Sequence, residues 1–99
     1  MFAFCLYLCD RSDLFTIAAE ADRVLNSGGH ILVYDFCTTH AYGNEYRHKP
    51  GVMSYKMDYS TLWSWHPSYV LWSHEVLPFL NENPDNEDNR LALSVLKKL

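Results

Sequence analysis

The clearest periodic pattern in the chain lies between positions 14 and 25, where apolar residues recur at helical spacing. The apolar positions of this stripe are Leu14, Ile17, Ala18, Ala21, Val24 and Leu25. The spacing predicts a helix over residues 12–26 with one buried face. Asp10 or Ser12 would cap its N-terminus, and Gly28 and Gly29 would end it, because glycine is favoured just past a helix C-terminus.

A short and nearly continuous apolar run follows the two glycines directly. His30–Phe36 reads His-Ile-Leu-Val-Tyr-Asp-Phe and is rich in residues that favour strands. Such a run predicts a strand that is buried on both faces, as in a parallel sheet. A helix, a tight turn and a buried strand form the second half of a β-α-β unit, so the pattern predicts an α/β fold.

The segments that flank this unit give weaker patterns. Residues 2–8 suit either the end of a buried strand or the first turn of a helix, because the run is too short to show a period. Residues 37–51 contain glycine, asparagine and proline without a clear period, which predicts a loop. A short helix is predicted over residues 59–65, ending before Pro67.

The last third of the chain contains two further candidate strands. Residues 69–77 are rich in aromatic and β-branched types and predict a strand. Residues 81–89 are acidic and rich in asparagine, which predicts a turn. Residues 90–99 fit an alternating strand and a helix face equally well, so periodicity leaves both open.

Composition narrows the class of protein. The 99 residues suit a single domain, and the 48% hydrophobic and 15% aromatic residues argue against disorder. The formal net charge of −4 provides no basic surface for nucleic acid or for an anionic membrane. No apolar run approaches the ~20 residues of a membrane-spanning helix. The three cysteines, an odd and low number, indicate reduced thiols in a cytoplasmic protein.

The first eight residues, Met-Phe-Ala-Phe-Cys-Leu-Tyr-Leu, form an apolar segment. They lack the basic leader of a secretory signal. A globular domain rarely opens on residues of this kind, because chain termini usually lie at the surface. We therefore expect either that another segment precedes Met1 or that a partner covers this edge.

Several segments resemble class I S-adenosylmethionine (SAM)-dependent methyltransferases. Residues 22–36, which read Asp-Arg-Val-Leu-Asn-Ser-Gly-Gly-His-Ile-Leu-Val-Tyr-Asp-Phe, resemble the link between the helix after the fourth strand and the fifth strand of that family. Residues 4–15 resemble its loop and helix start after the fourth strand. Residues 54–60 and the motif His66-Pro67-x-Tyr69 resemble a late segment of a bacterial subgroup of small methyltransferases. The resemblance covers almost the whole chain.

This resemblance implies a partial Rossmann-like methyltransferase fold in one domain over residues 1–99. A helix and a parallel strand would be followed by a C-terminal antiparallel hairpin, with residues 69–77 and 90–98 in the places of strands six and seven. Residues 90–99 are therefore expected to form a strand. The family's N-terminal β-α units carry a Gly-x-Gly turn for SAM, and none occurs here, so the chain is expected to lack the main SAM-binding part.

The resemblance also implies candidate site residues. The stretch that would lie beside the methionine part of SAM and the acceptor consists of Phe4, Cys5, Leu6 and Tyr7. Asp35 ends the predicted fifth strand and would face the acceptor, because ligands of open α/β sheets bind at the carboxyl ends of strands. A polar and aromatic group after that strand would line a pocket for a small-molecule acceptor: Tyr46, His48, Tyr55, Lys56 and Tyr59. Core packing or loop capping accounts for these residue types equally well.

No catalytic residue is assigned, because methyl transfer depends mainly on positioning the acceptor in line with the sulfonium methyl. Cys37 follows the predicted strand, but no sequence feature assigns it a base. The five histidines and three cysteines match no metal-binding spacing, so no metal site is predicted.

The sequence leaves more than one function open. The first hypothesis is the acceptor-side half of a SAM-dependent methyltransferase, incomplete without an N-terminal half. The second is a non-catalytic interaction protein that forms homo-oligomers or docks on a partner through an open sheet edge. A small enzyme with a pocket between subunits is a third reading. Neither nucleic acid nor membrane is expected as a partner.

Overall fold

A four-stranded mixed sheet forms the centre of the protein, and a separate two-stranded sheet lies beside it. The computed structural model describes residues 1–77 and 87–99. The strands of these residues are β1 (Phe2–Ala3), β2 (His30–Phe36), β3 (Tyr42–Glu45), β4 (Met53–Lys56), β5 (Tyr69–Leu77) and β6 (Leu91–Lys98). The helices are α1 (Leu14–Val24) and α2 (Thr61–Ser64). Single 3₁₀ turns occur at Leu6–Leu8, Arg11–Asp13 and Glu87–Asn89. The predicted α/β class is confirmed in this mixed form.

The order of strands in the larger sheet is β1-β2-β6-β5. β1 runs parallel to β2, with Phe2 opposite Val33. β6 runs antiparallel to both β2 and β5. The register of β5 shifts between Leu71 and Ser73, which leaves Trp72 as a bulge. β6 therefore lies in the interior of the sheet, although it is the last of these strands along the chain.

The helix α1 is shorter than predicted at both ends. Its first residues instead form the 3₁₀ turn Arg11–Asp13, which Asp10 precedes without a side-chain cap. At the other end Gly28 has a φ of 87°, and a Cβ on Gly29 would lie 2.4 Å from Leu25 Cδ1. The first glycine is thus required for its backbone conformation and the second for space.

The burial of β2 alternates along the strand. Ile31, Val33 and Asp35 are buried, whereas the residues between them are partly exposed. The buried residues belong to a core that α1 and α2 cover; its members are Leu6, Ile31, Val33, Tyr59, Trp63, Tyr69 and Leu96, with Ile17, Ala18 and Ala21 packed against them. The strand has its predicted bounds, but it is fully buried on one face only, because both helices pack on the same side.

The opposite side of the sheet is apolar as well. Leu32 lies opposite Val95, and Tyr34 lies opposite Leu93. All four side chains are partly exposed. They point away from α1 and α2, because successive side chains of a strand alternate between faces. We refer to these four residues as the open face.

The hairpin of β3 and β4 was not predicted, since residues 37–51 were expected to form a loop. Tyr42 pairs with Lys56, and Glu45 pairs with Met53. The strand β3 reads Tyr-Gly-Asn-Glu, which has no apolar alternation to signal a strand. Burial of Ser54 and Lys56 in β4 instead fixes the hairpin against the rest of the protein.

The other predicted elements are found with small changes. The helix expected over 59–65 is the single turn α2, and the strand expected over 69–77 is confirmed as β5. Residues 90–99 form a strand, β6, and residues 2–8 contain both a strand end and a 3₁₀ turn. Of the turn predicted over 81–89, residues 81–86 lie outside the described residues. Within the part of the chain that is described, no helix has the length and apolar character needed to cross a bilayer.

Candidate functional site

A cleft of about 500 Å³ opens where β1 and β2 end. One wall comes from the ends of these strands and carries Phe4, Tyr7 and Phe36. The opposite wall comes from the β3–β4 hairpin, with Tyr46 and Lys56 among its residues. Because β1 and β2 are parallel, their carboxyl ends meet at the same edge of the sheet, and this is the edge where open α/β sheets bind ligands.

Aromatic side chains form a continuous wall in this cleft. The ring of Phe4 meets those of Tyr34 and Phe36 edge to face, with centroids 5.0 and 5.8 Å apart. Tyr7 meets Phe36 in the same way at 5.0 Å, and Tyr46 lies 6.2 Å from Tyr7. Edge-to-face contacts at these separations are favourable, so the rings hold one another in place. Burial and the neighbouring Tyr46 raise the pKa of Tyr7 to about 12, so its hydroxyl stays protonated.

Phe4 has an unusual backbone conformation, with a φ of 52°. A residue with a Cβ pays roughly 1 kcal/mol or more for this left-handed region. The Phe4 amide donates a hydrogen bond to the Tyr34 carbonyl at 2.8 Å, directly after the last residue of β1. The chain thus turns sharply at the end of the strand, and the turn places the Phe4 ring in the cleft.

Lys56 brings a positive charge to the aromatic wall. Its side chain is buried, and Nζ lies 3.2 Å from the centroid of the Phe36 ring. Burial lowers the pKa of this ammonium group, while the charges of Asp88 and Asp35 act in the opposite direction. An ammonium group on an aromatic face is a favourable cation–π arrangement. The cleft therefore combines an apolar wall with charges of both signs, because Arg47, Glu45 and Asp88 line it as well.

Asp35 does not line the cleft, but it binds the loop that forms one of its walls. The residue is 1% exposed. It accepts hydrogen bonds from the amides of Leu6 at 3.0 Å and Phe36 at 2.7 Å. Burial raises the pKa of this carboxyl, and hydrogen bonds from backbone amides partly offset that shift. Asp35 thereby fixes the loop that carries Phe4 and Tyr7.

The structure separates the predicted site residues into two groups. Those that line the cleft are Phe4, Tyr7, Tyr46, His48 and Lys56. Those outside its lining are Cys5, Leu6, Asp35, Tyr55 and Tyr59. Leu6 and Tyr59 are core residues. The ring of Tyr55 lies under the guanidinium of Arg11, and Cys5 is exposed.

Some residues of the cleft were not predicted. Phe36 was not predicted, although it follows Asp35 directly. Consecutive strand residues point to opposite faces of the sheet, and the prediction considered only the face that carries Asp35. Asp88 comes from the turn Glu87–Asn89 and accepts a hydrogen bond from the Tyr42 hydroxyl, which ties the hairpin to this turn. No sequence pattern signals that contact, because the two residues lie 46 positions apart.

A second group of polar side chains, Cys37, Asp58 and His74, lies outside the cleft. One sulfur, oxygen or nitrogen atom of each lies within 4.8 Å of the others. Burial, and next the charge of Asp58, raise the pKa of the Cys37 thiol to about 11. The protonated thiol is a poor nucleophile, because the thiolate is the reactive form. The residues belong to distant segments, so no short spacing could have predicted the group.

Comparison of this chain with protein-family models, with curated proteins and with solved structures gave no match. The position and lining of the cleft are the structural observations that bear on function. The resemblance to methyltransferases stays a prediction from the sequence.

Proposed function

We propose that this chain is the acceptor-side half of a class I SAM-dependent methyltransferase, and that its cleft holds a small-molecule methyl acceptor beside SAM. The observation that carries the proposal is the position of the cleft at the carboxyl ends of two parallel strands. Phe4 and Tyr7, for which the resemblance implies contact with the methionine part of SAM, both line it. The same site thus follows from two independent lines of reasoning.

The topology of the sheet supports this proposal. β1 and β2 are parallel, and α1 is the helix between them. β5 and β6 then pair antiparallel. The resemblance implies the same succession, in which strands four and five are linked by a helix and strands six and seven form the terminal antiparallel pair. A partial Rossmann-like fold is therefore the proposed origin of this sheet.

The chemistry of the cleft suits both reactants. In methyl transfer the bond between sulfur and the methyl carbon breaks as the bond to the acceptor forms, and the electron pair of the broken bond stays on sulfur. Aromatic faces such as those of Phe4 and Tyr7 stabilise the sulfonium cation of SAM. The Lys56 ammonium suits a carboxylate, which SAM carries on its methionine part. A second half of the domain would supply the glycine-rich turn and the site for the ribose.

Titration with SAM, followed by the amide NMR spectrum of the chain, tests this proposal. Because these 99 residues contain no Gly-x-Gly turn of the kind that the family uses for SAM, we expect weak binding with a Kd of about 1 mM or above. The shifted resonances should cluster at the cleft. Tyr46→Ala should weaken the shifts, whereas Phe15→Ala should leave them unchanged, because Phe15 is 84% exposed on α1 and outside the cleft.

Two results would contradict the proposal. Shifts that cluster away from Phe4 and Tyr7, or equal shifts in Tyr46→Ala and the wild-type chain, would argue against this site. A tight 1:1 complex in calorimetry would argue that the chain is not an incomplete half.

A second candidate is a non-catalytic interaction protein, and the open face favours it. Leu32, Tyr34, Leu93 and Val95 present apolar surface on one side of the sheet. Among the described residues β1 pairs with β2 alone, so its outer edge is available for another strand. Both features suit a second copy of this chain.

Light scattering across micromolar concentrations tests this second candidate. Self-association should increase with concentration, and Leu93→Lys should weaken it because a charge would have to be buried at the contact. Phe15→Lys is the matched control, since Phe15 is exposed on α1 and not on the open face. A strictly monomeric wild-type chain would rule out self-association.

A further inference from the structure

Three side chains of different chemistry converge near the end of β2. Cys37 is buried directly after that strand, Asp58 lies before α2, and His74 lies on β5. One sulfur, oxygen or nitrogen atom of each lies within 4.8 Å of the other two. Thiolate, carboxylate and imidazole are the three ligand types that proteins use for Zn²⁺. We propose that Cys37, Asp58 and His74 bind a divalent transition-metal ion, with Zn²⁺ as the best-fitting ion.

The distances require only a small closure around the metal. The Cys37 sulfur lies 3.9 Å from Nε2 of His74. In a tetrahedral zinc site a sulfur and a nitrogen ligand lie about 3.6 Å apart, as follows from their bond lengths to the metal. No two of these atoms lie more than 4.8 Å apart, so a side-chain movement of at most about 1.5 Å brings them to bonding geometry. The backbone amide of Cys37 donates to the Arg90 carbonyl, and His74 pairs with Ser94 of β6. A movement of the side chains alone therefore leaves these backbone contacts unchanged.

Neighbouring serines orient two of the ligands. Nδ1 of His74 lies 2.8 Å from Oγ of Ser94, which is buried in β6. With the proton on Nδ1, this hydrogen bond directs the lone pair of Nε2 towards Cys37. Asp58 accepts hydrogen bonds through Oδ1 from the amide of Ser60 at 3.1 Å and from its hydroxyl at 2.6 Å. Metal-binding histidines and carboxylates are characteristically held by such second hydrogen bonds.

The charges of the group also favour a divalent ion. On binding, Zn²⁺ displaces the thiol proton of Cys37 into solvent, and the resulting thiolate and the Asp58 carboxylate together carry two negative charges that the ion neutralises. Arg90 brings one positive charge close to this group, since its Nε donates to the backbone carbonyl of Cys37 at 3.0 Å, but its guanidinium is also paired with Glu87. Three protein ligands leave the fourth position of a tetrahedral ion for water or a substrate atom, as in catalytic zinc sites.

This metal site does not depend on the methyltransferase proposal. None of the three ligands lines the cleft. The cleft and the metal site can therefore be tested, and can fail, separately.

Metal binding to the full chain can be measured by calorimetry with Zn²⁺ and by absorption with Co²⁺. We expect a 1:1 stoichiometry, a Zn²⁺-dependent rise in Tm and a thiolate-to-Co²⁺ charge-transfer band. Cys37→Ser should abolish the band, and His74→Gln and Asp58→Asn should each weaken Zn²⁺ binding at least tenfold. Cys5→Ser and His30→Gln are matched controls that keep wild-type affinity, because both residues are exposed and outside the group.

A further variant separates positioning from ligation. Ser94→Ala should weaken Zn²⁺ about tenfold without loss of the charge-transfer band, because it removes only the support of His74. Should Cys37→Ser fail to fold, Asp58→Asn and His74→Gln decide the question. A wild-type chain without the charge-transfer band, equal affinity in wild type and the ligand variants, or loss of the band in Cys5→Ser would overturn the proposal.

Discussion

The two faces of the four-stranded sheet come from the same strands but differ in what covers them. On one face Ile31, Val33 and Leu96 are buried beneath α1 and α2. On the other, Leu93 and Val95 belong to the open face and remain partly exposed. Both faces of β2 and β6 carry apolar side chains. Among the described residues, the helices cover only one of these faces. This partly exposed apolar surface is the basis of the proposed contact with another chain.

The largest difference between the faces should appear when the same side chain is removed from each. Leu96→Ala should lower the free energy of unfolding by about 2–5 kcal/mol, because Leu96 is 0% exposed and its loss leaves a cavity. Leu93→Ala, on the same strand but on the open face, should cost about 1 kcal/mol. Urea unfolding measures both. Equal losses in dilute protein would show that the open face is covered as well as the helix-bearing face.

Asp35 is a buried acidic residue near the end of β2 on the covered face, and its substitution should give the next largest effect. Asp35→Asn should destabilise the fold by about 1–3 kcal/mol, because an amide cannot accept both hydrogen bonds from Leu6 and Phe36. Burial raises the pKa of Asp35 in the folded state, so the folded chain holds this proton more tightly than the unfolded chain.

The raised pKa of Asp35 makes the stability difference between the wild type and Asp35→Asn depend on pH. The contribution of the carboxyl to stability is fully present below the unfolded pKa of about 3.9, and it is lost as the pH rises through the folded pKa. The wild-type advantage over Asp35→Asn should therefore shrink as the pH rises from acid towards neutral. Urea unfolding at several pH values measures it. An advantage that grows with pH would show that hydrogen bonds outweigh burial at Asp35.

Lys97 and Lys98 are adjacent in β6 and point to opposite faces of the sheet, so their removal compares the contribution of a charged side chain on each face. Lys98 Nζ donates to the carbonyls of Asp22 and Leu25 at 2.7 and 2.9 Å, which fastens the end of α1 to the sheet. Lys98→Met should cost about 1–2 kcal/mol, because these carbonyls lose a charged donor. Lys97 instead lies over the ring of Trp72 at 5.2 Å, and Lys97→Met should cost under about 0.5 kcal/mol. A larger loss for Lys97 in thermal unfolding would contradict this assignment.

The smallest effect should come from the turn that leads from α1 to β2. Gly28→Ala should cost about 1 kcal/mol, because an alanine at a φ of 87° is strained although nothing lies within 4 Å of its Cβ. Ser27→Ala, at the exposed neighbouring position, is the control and should change stability by less than about 0.5 kcal/mol. Denaturant unfolding of the two variants and the wild type measures these differences in the free energy of unfolding. Equal stability of both would show that the turn relaxes without strain.

Local periodicity predicted the elements that are apolar and regular. His30–Phe36 and Tyr69–Leu77 have the predicted bounds, because consecutive strand-forming residues are bounded by glycine or proline. The β3–β4 hairpin was missed because its stability comes from pairing and from burial of Ser54 and Lys56, which no local pattern encodes. The one-sided cover of the sheet was also missed, because periodicity does not tell where helices pack.

The candidate cleft was predicted in part. Phe4 and Tyr7 were identified through a resemblance and lie in it, whereas Leu6 from the same stretch turns into the core. The alternation of side chains around a sharp turn decides this, and the turn depends on the conformation of Phe4. The group formed by Cys37 and His74 could not be predicted, because only the tertiary fold brings residues 37 positions apart into contact.

The interior position of β6 has a consequence for synthesis of the protein on the ribosome. β6 pairs with β2 and β5, and both neighbours precede it along the chain. Until Leu91–Lys98 has been translated, β2 is paired on one side only, with β1, and among the described strands β5 has no partner. Pairs such as His30 with Lys97 are distant in sequence, and such pairings form slowly. The nascent sheet is therefore exposed to association with neighbouring chains, and assistance by a chaperone would matter most before β6 emerges.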